Sequence, residues 1–188
     1  MTTMSRSAVI DASVIILLLA EEPEAKTEAE PHRRWTNTRL TMEWAQEKCD
    51  EIVVPAPVLA ELAHADKASR LVLEAFVECV GAQTRIEPLD QEAAQIAGEL
   101  LRALLPERKP GEKKHVMKYD VMISAIAHRI VATYLITGDK ENNSFPKHLE
   151  LLGSSTVLVV APDLPRGYQT EIAEAGGSAD ANPPRRPK

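Results

Sequence analysis

The sequence predicts an α/β protein, a three-layer α/β/α sandwich on a mostly parallel five-stranded sheet. Short apolar runs of strand length, such as Ala8-Val9-Ile10, Ile52-Val53-Val54 and Leu135-Ile136, read as strands buried on both faces. Segments of helical length and spacing lie between them, the alternation that covers a parallel sheet with helices. Two strands run straight into aspartate, at Asp11 and, after Thr137-Gly138, at Asp139. At 188 residues and 44% hydrophobic, the chain is long enough for one domain with a sizeable core. The domain is expected over 1–164 and a flexible tail, poor in apolar periodicity, over 165–188.

Taken in order, Ser7 to Ile10 is the first strand. Asp11-Ala12-Ser13 breaks it, with Ser13 as the expected cap of a buried helix through Val14 to Leu19. The apolar run Val14 to Ala20 is shorter than the roughly 20 residues needed to cross a bilayer. It also follows an acidic residue rather than a basic leader, so it reads as core helix and not signal peptide. Residues 21–50 form an excursion: a loop over Glu21 to Pro31, then helical spacing from Trp35 to Cys49. Ile52 to Val54 is a second strand, followed by a helix opening near Pro57, where proline suits a first turn. That helix carries Glu61 beside the inward-facing Val58 and Leu62.

A further helix is expected over Ser69 to Val80, and a third strand over Arg85 to Leu89. Asp90 then caps an amphipathic helix, Gln91 to Leu105, with Ala93, Ile96, Ala97, Leu100, Leu101 and Leu104 on one face. Pro106 to Lys118 reads as a basic loop. Asp120 opens a strongly apolar helix that leads to the fourth strand, Tyr134 to Thr137. Asn142 to Gly153 holds a loop and one helical turn, and Thr156 to Ala161 is the fifth strand.

Net charge is −6 and the pI is about 5.4, so bulk positive charge is not how this chain would hold nucleic acid. Any such contact needs a local basic patch, and Lys114 and Lys118, in the run that leads to Asp120, are the candidates, with Lys140 and Lys147 as extensions. Aromatic residues are only 4%, too few for a base-stacking platform. Trp35 and Trp44 suit either a partner surface or core packing. Cys49 and Cys79 show no CxxC spacing, which points to reduced thiols and a cytoplasmic protein. His32, His64, His115, His128 and His148 make no metal or triad spacing.

In a parallel sheet the functional crevice lies beyond the carboxyl ends of the strands, where strand order reverses. Asp11, Glu61, Asp120 and Asp139 can all converge there. Four clustered carboxylates repel and raise one another's pKa values, and a hard divalent cation relieves this. Mg²⁺ or Mn²⁺ takes oxygen ligands, keeps several waters and supports hydrolysis of a phosphodiester.

The stretches Val9-Ile10-Asp11-Ala12-Ser13-Val14, Pro57-Val58-Leu59-Ala60-Glu61-Leu62, Tyr119-Asp120-Val121-Met122-Ile123-Ser124-Ala125-Ile126-Ala127 and Leu135-Ile136-Thr137-Gly138-Asp139 resemble, in this order, the motifs of PIN-domain proteins. Within that family the chain is most similar to VapC-type toxins of bacterial toxin–antitoxin pairs. The resemblance implies a Rossmann-like fold and a Mg²⁺- or Mn²⁺-dependent endoribonuclease. It further implies Asp11, Glu61, Asp120 and Asp139 as metal ligands, with Ser13, Thr137 and Asn143 as polar residues beside them. An RNA substrate, a cognate antitoxin and a homodimer are the implied partners, with no membrane association. The excursion over 21–50 and the tail are additions to a compact VapC-type chain. A non-catalytic PIN-like module binding RNA or protein is the alternative. Haloacid-dehalogenase-type chemistry would need a second aspartate two residues after Asp11, where Ser13 stands, and receiver domains would need an acidic pair after the first strand.

Overall fold

The computed structural model describes residues 5–20, 22–24, 27–65, 74, 76, 83–104, 114–140 and 144–163, without the side chains of 64–65 and 114–117. Five strands form one sheet in the order β3-β2-β1-β4-β5: β1 (Ser7–Ile10), β2 (Glu51–Pro55), β3 (Thr84–Glu87), β4 (Tyr134–Thr137) and β5 (Val157–Val160). Every neighbouring pair is parallel, so the sheet is wholly rather than mostly parallel. Strand order reverses beside β1, between β1 and β4.

The helices are α1 (Ala12–Leu19), α2 (Ala29–Lys48), α3 (Ala56–Ala65), α4 (Gln91–Leu104), α5 (Lys114–Arg129) and α6 (Phe145–Leu151). With strand order 3-2-1-4-5, the right-handed rule for parallel crossovers assigns α1 to α3 to one face of the sheet and α4 to α6 to the other. Helix contacts follow that division, with α1 against α2 and α3, α5 against α4 and α6, and α3 meeting α5 at the boundary. The main core joins β1, β2 and β4 to Val14, Ile15, Trp44, Ala45 and Val58. α5 is buried on two sides. Ile123 and Ala127 join that core, while Val121 and Ala125 pack with Ala97, Leu100 and Leu104 of α4. Trp44 is buried edge-on against Tyr134, with ring centroids 4.9 Å apart, which makes it a core residue.

Several elements differ from the sequence reading. α2 starts at Ala29, so the loop after α1 is shorter than expected. Pro31 lies in its first turn, where the missing N–H has no partner to lose. Thr38 and Thr41 are buried on its inner side because their hydroxyls have acceptors, the carbonyls of Arg34 at 2.8 Å and Ala161 at 2.9 Å. Ser13 does not cap α1. Asp11 does, accepting from the backbone N–H of Ala12 at 2.8 Å, and Ser13 is turned to other partners. Asp120 does not open its helix: α5 begins at Lys114, nearly two turns earlier, so no helix terminus offsets the charge of Asp120. The single turn expected after Asn142 is the seven-residue α6. Asp90 is the cap foreseen for α4, accepting from Ala93 N–H at 2.9 Å, and it also pairs with Arg129 at 3.3 Å. The expected helix over Ser69 to Val80 lies outside the described residues except for Glu74 and the buried Phe76. The tail beyond Asp163 and Cys79 lie outside them as well.

Candidate active site

β1 and β4 run side by side with Ile10 opposite Ile136, and Asp11 N–H continues the ladder to the Ile136 carbonyl at 3.0 Å. This register sets Asp11 next to Thr137 at the point where strand order reverses. The Asp11 carboxylate is buried and held by three donors. One oxygen accepts from Ala12 N–H, and the other accepts from the Ser13 hydroxyl and from the Thr137 hydroxyl at 3.0 Å. Ser13 Oγ in turn accepts from Gly138 N–H at 2.8 Å, and Thr137 Oγ1 accepts from Asp139 N–H at 3.2 Å. The two hydroxyls therefore tie the ends of β1 and β4 into one unit.

Gly138 is required by that closeness. A methyl group there would stand 2.7 Å from Leu17 Cδ1 and 3.1 Å from the carbonyl carbon and oxygen of Ser13. Backbone cannot yield as a side-chain tip can. Gly138→Ala is accordingly expected to cost about 1–3 kcal/mol of stability by overpacking, read from denaturant melts. A change under about 0.5 kcal/mol, ordinary for a surface position, would contradict this contact.

A cavity of about 360 Å³ opens over this unit, lined by Asp11, Ser13, Ile16, Leu17, Arg34, Glu61, Asp120, Asp139, Ser144 and Phe145. It brings together the four acids from four elements of the chain. Asp120, partly buried, accepts from the Ser144 hydroxyl at 2.6 Å. Behind it, Ser124 donates to the Asp120 carbonyl at 2.8 Å and lies 3.1 Å from Nδ1 of the buried His148. Glu61 has an oxygen, Oε2, that is buried without a hydrogen-bond partner among the described residues.

The carboxyls feel both burial and one another. Burial pushes Asp11 above the usual aspartate range against its three hydrogen bonds, with Asp139 adding to the rise. Glu61 is pushed up to about 7 by burial and by the charges of Asp11, Asp120 and Asp139. Asp120 rises to about 6 by burial, less the Ser144 hydrogen bond, and by the charges of Asp11 and Asp139. Among the described residues no three acids stand ready-made around one ion. They face a shared space with water-sized room between them, which suits a cation that keeps part of its hydration shell. The all-oxygen donor set and the partnerless Glu61 oxygen fit Mg²⁺ or Mn²⁺ better than a thiophilic metal.

Of the other expected site residues, Ser13 and Thr137 are in place as supports of Asp11. Lys118 is exposed on α5, and Asn143 and the Lys114 side chain lie outside the described residues. Lys140 pairs with Asp163 at 3.0 Å at the edge of the site. Sequence reading missed Ser144 and Arg34. Ser144 is next to Asn143, one residue from where a polar neighbour was sought. Nothing in the local pattern ties Arg34, on a helix begun inside an expected loop, to the strand ends.

The comparisons bear on family and fold. A family model described as PIN domain matches residues 8–147. Among solved structures, a chain of VapBC2 from Rickettsia felis, crystallised bound to a DNA fragment from its promoter, superposes with a TM-score of 0.51 at 15% identity. That match covers 82% of the present chain and 98% of the other. No curated protein matches the chain.

Proposed function

Since the chain belongs to the PIN-domain family, whose members are in general nucleases, we propose that it is a Mg²⁺- or Mn²⁺-dependent endoribonuclease and the toxin of a VapBC-type pair. The observation that carries the reading is the shared cavity of Asp11, Glu61, Asp120 and Asp139. There Asp11, Glu61 and Asp120 are raised by burial and by neighbouring acids, and one Glu61 oxygen has no hydrogen-bond partner among the described residues. Asp11, Glu61, Asp120 and Asp139 would hold the ion. When bound, it lowers the pKa of water and offsets the charge that develops in phosphodiester displacement. The Ser13 and Thr137 hydroxyls orient Asp11 and favour its charged form against the effect of burial, and Ser144 does the same for Asp120. Leu17 and Phe145 give the cavity an apolar wall that thins the water around the reacting phosphate. Hydrolysis with water as nucleophile leaves 5′-phosphate and 3′-hydroxyl ends. The VapBC2 likeness supports an antitoxin partner encoded beside this chain. A homodimer and a cytoplasmic setting go with the same reading, and no helix among the described residues is long and apolar enough to cross a membrane.

Incubation of the full chain, freed of any antitoxin, with mixed single-stranded RNA and Mg²⁺ or Mn²⁺ tests this. Cutting is expected, and both EDTA and Asp120→Asn should abolish it. Folded protein that cuts nothing with either metal would instead favour a binding module.

A further inference from the structure

A second cavity of about 280 Å³ adjoins the first, lined by Glu30, Arg33, Arg34, Asp139, Lys140, Pro162 and Asp163. Arg34 and Asp139 line both cavities and so form the wall between them. The charges here are unequal in availability. Arg33 is ion-paired with Glu30 at 2.8 Å, and Lys140 with Asp163 at 3.0 Å. Arg34 has no carboxylate partner among the described residues. It donates only a long hydrogen bond, 3.3 Å, to the Gly138 carbonyl, which leaves most of its donor fork open. With the two ion pairs set aside, the charges left at this place are Asp139 and Arg34, and Arg34 is the cation with no carboxylate partner among the described residues, half-buried where the two cavities meet.

The protein holds it there deliberately well. α2 is pinned to the turn after β5 by Asn37, which donates to the Pro162 carbonyl at 2.7 Å, and by Thr41, which donates to the Ala161 carbonyl. Arg34 lies one turn before Thr38, whose hydroxyl donates to the Arg34 carbonyl. The excursion helix thus delivers one guanidinium to the mouth of the acidic cavity. A guanidinium fork matches the oxygens of a phosphate diester, and partial burial strengthens the contact.

We propose that the second cavity is the subsite for the nucleotide next to the one whose bond is cut, and that Arg34 holds the phosphodiester between them. This rests on the nuclease reading for which bond is cut, but the contact itself is one of binding. The ligand class is a single-stranded polynucleotide engaged through its backbone. Arg34 is a positioning residue here: it places the strand across the acids and reads no base.

The test is equilibrium binding of a fluorescein-labelled RNA hexamer, followed by anisotropy in Mg²⁺. Asp120→Asn protein is compared with the same protein carrying Arg34→Ala or Arg34→Lys. Arg34→Ala should weaken binding about tenfold and lower the slope of log affinity against log salt by about 0.7, the loss of one phosphate contact on a single strand. Arg34→Lys should keep the slope and recover part of the affinity. A DNA hexamer should show the same dependence on Arg34. Unchanged affinity and slope in Arg34→Ala, or no binding of RNA at all, would overturn the proposal. So would a dependence confined to RNA, which would assign Arg34 to the 2′-hydroxyl. Circular dichroism checks that each variant is folded. Because binding is read without cleavage, an inactive wild type sinks the nuclease reading and leaves the Arg34 result standing on its own.

Discussion

Asp11→Asn is expected to lower metal-dependent RNA cleavage by at least about a thousandfold, roughly 4 kcal/mol of transition-state stabilisation, while the fold is retained. The asparagine oxygen can still accept from Ala12 N–H, and its amide can donate to the Ser13 and Thr137 hydroxyls, which accept as readily as they donate. The helix cap survives, since asparagine caps as well as aspartate. What is lost is a buried negative charge at the centre of the acidic cavity, and with it the attraction for a cation. Cleavage kinetics and a denaturant melt on the same preparation decide the matter. Full activity in Asp11→Asn would remove Asp11 from the site, and a collapsed melt would make its role structural.

Glu61→Gln is expected to pull stability and activity in opposite directions. Without metal, Glu61 has its carboxyl raised to about 7 and Asp120 to about 6, both above their unfolded values. Groups raised in this way favour the folded state fully below the unfolded pKa, and that contribution is lost as pH rises through the folded pKa. The metal-free protein should therefore lose stability between about pH 4 and 7. Removing the Glu61 charge should recover some of it at pH 8. Glu61 is only partly buried and solvent screens it, so the gain is about 1 kcal/mol, or roughly 2–4 °C in a chain of this size. At pH 5, where the wild-type carboxyl is protonated, the gain should vanish. Added Mg²⁺ should raise the melting temperature of the wild type at pH 8 by mass action, less so at pH 5, and little in Glu61→Gln, which should also be inactive. A gain as large at pH 5 as at pH 8 would show that repulsion is not its cause.

The strands and the four acids were legible in the sequence because their signals are local. An apolar run of four residues ending on aspartate needs no knowledge of the rest of the chain, and a parallel sheet turns several such endings into one place. Asp120 was picked out by the apolar helix read as starting at it, and that setting was misread. The run Lys114-His115-Val116-Met117-Lys118 looked like loop by its charge, yet it holds no Gly or Pro to stop a helix, and α5 begins there. Ser13 was read as a cap by residue type, while Asp11 takes that position and Ser13 bonds across to Gly138. Such a bond, 125 residues away along the chain, leaves no trace in local pattern. Arg34 was missed on the same grounds: its meaning comes from α2 docking on the turn after β5, a contact between distant segments made by ordinary threonine and asparagine side chains.

The central place of β1 also governs when the molecule can become itself during synthesis. β1 is made before both of its neighbours, β2 and β4, and Asp11 has its Thr137 hydrogen bond 126 residues further on. At a synthesis rate of roughly 5–20 residues per second that interval is on the order of ten seconds. Until then β1 can pair on one side only, with β2, and the crevice between β1 and β4 does not exist. The four acids remain scattered along the growing chain. Their assembly waits on nearly the whole described domain, so topology alone holds back the acidic cavity until β4 has been made.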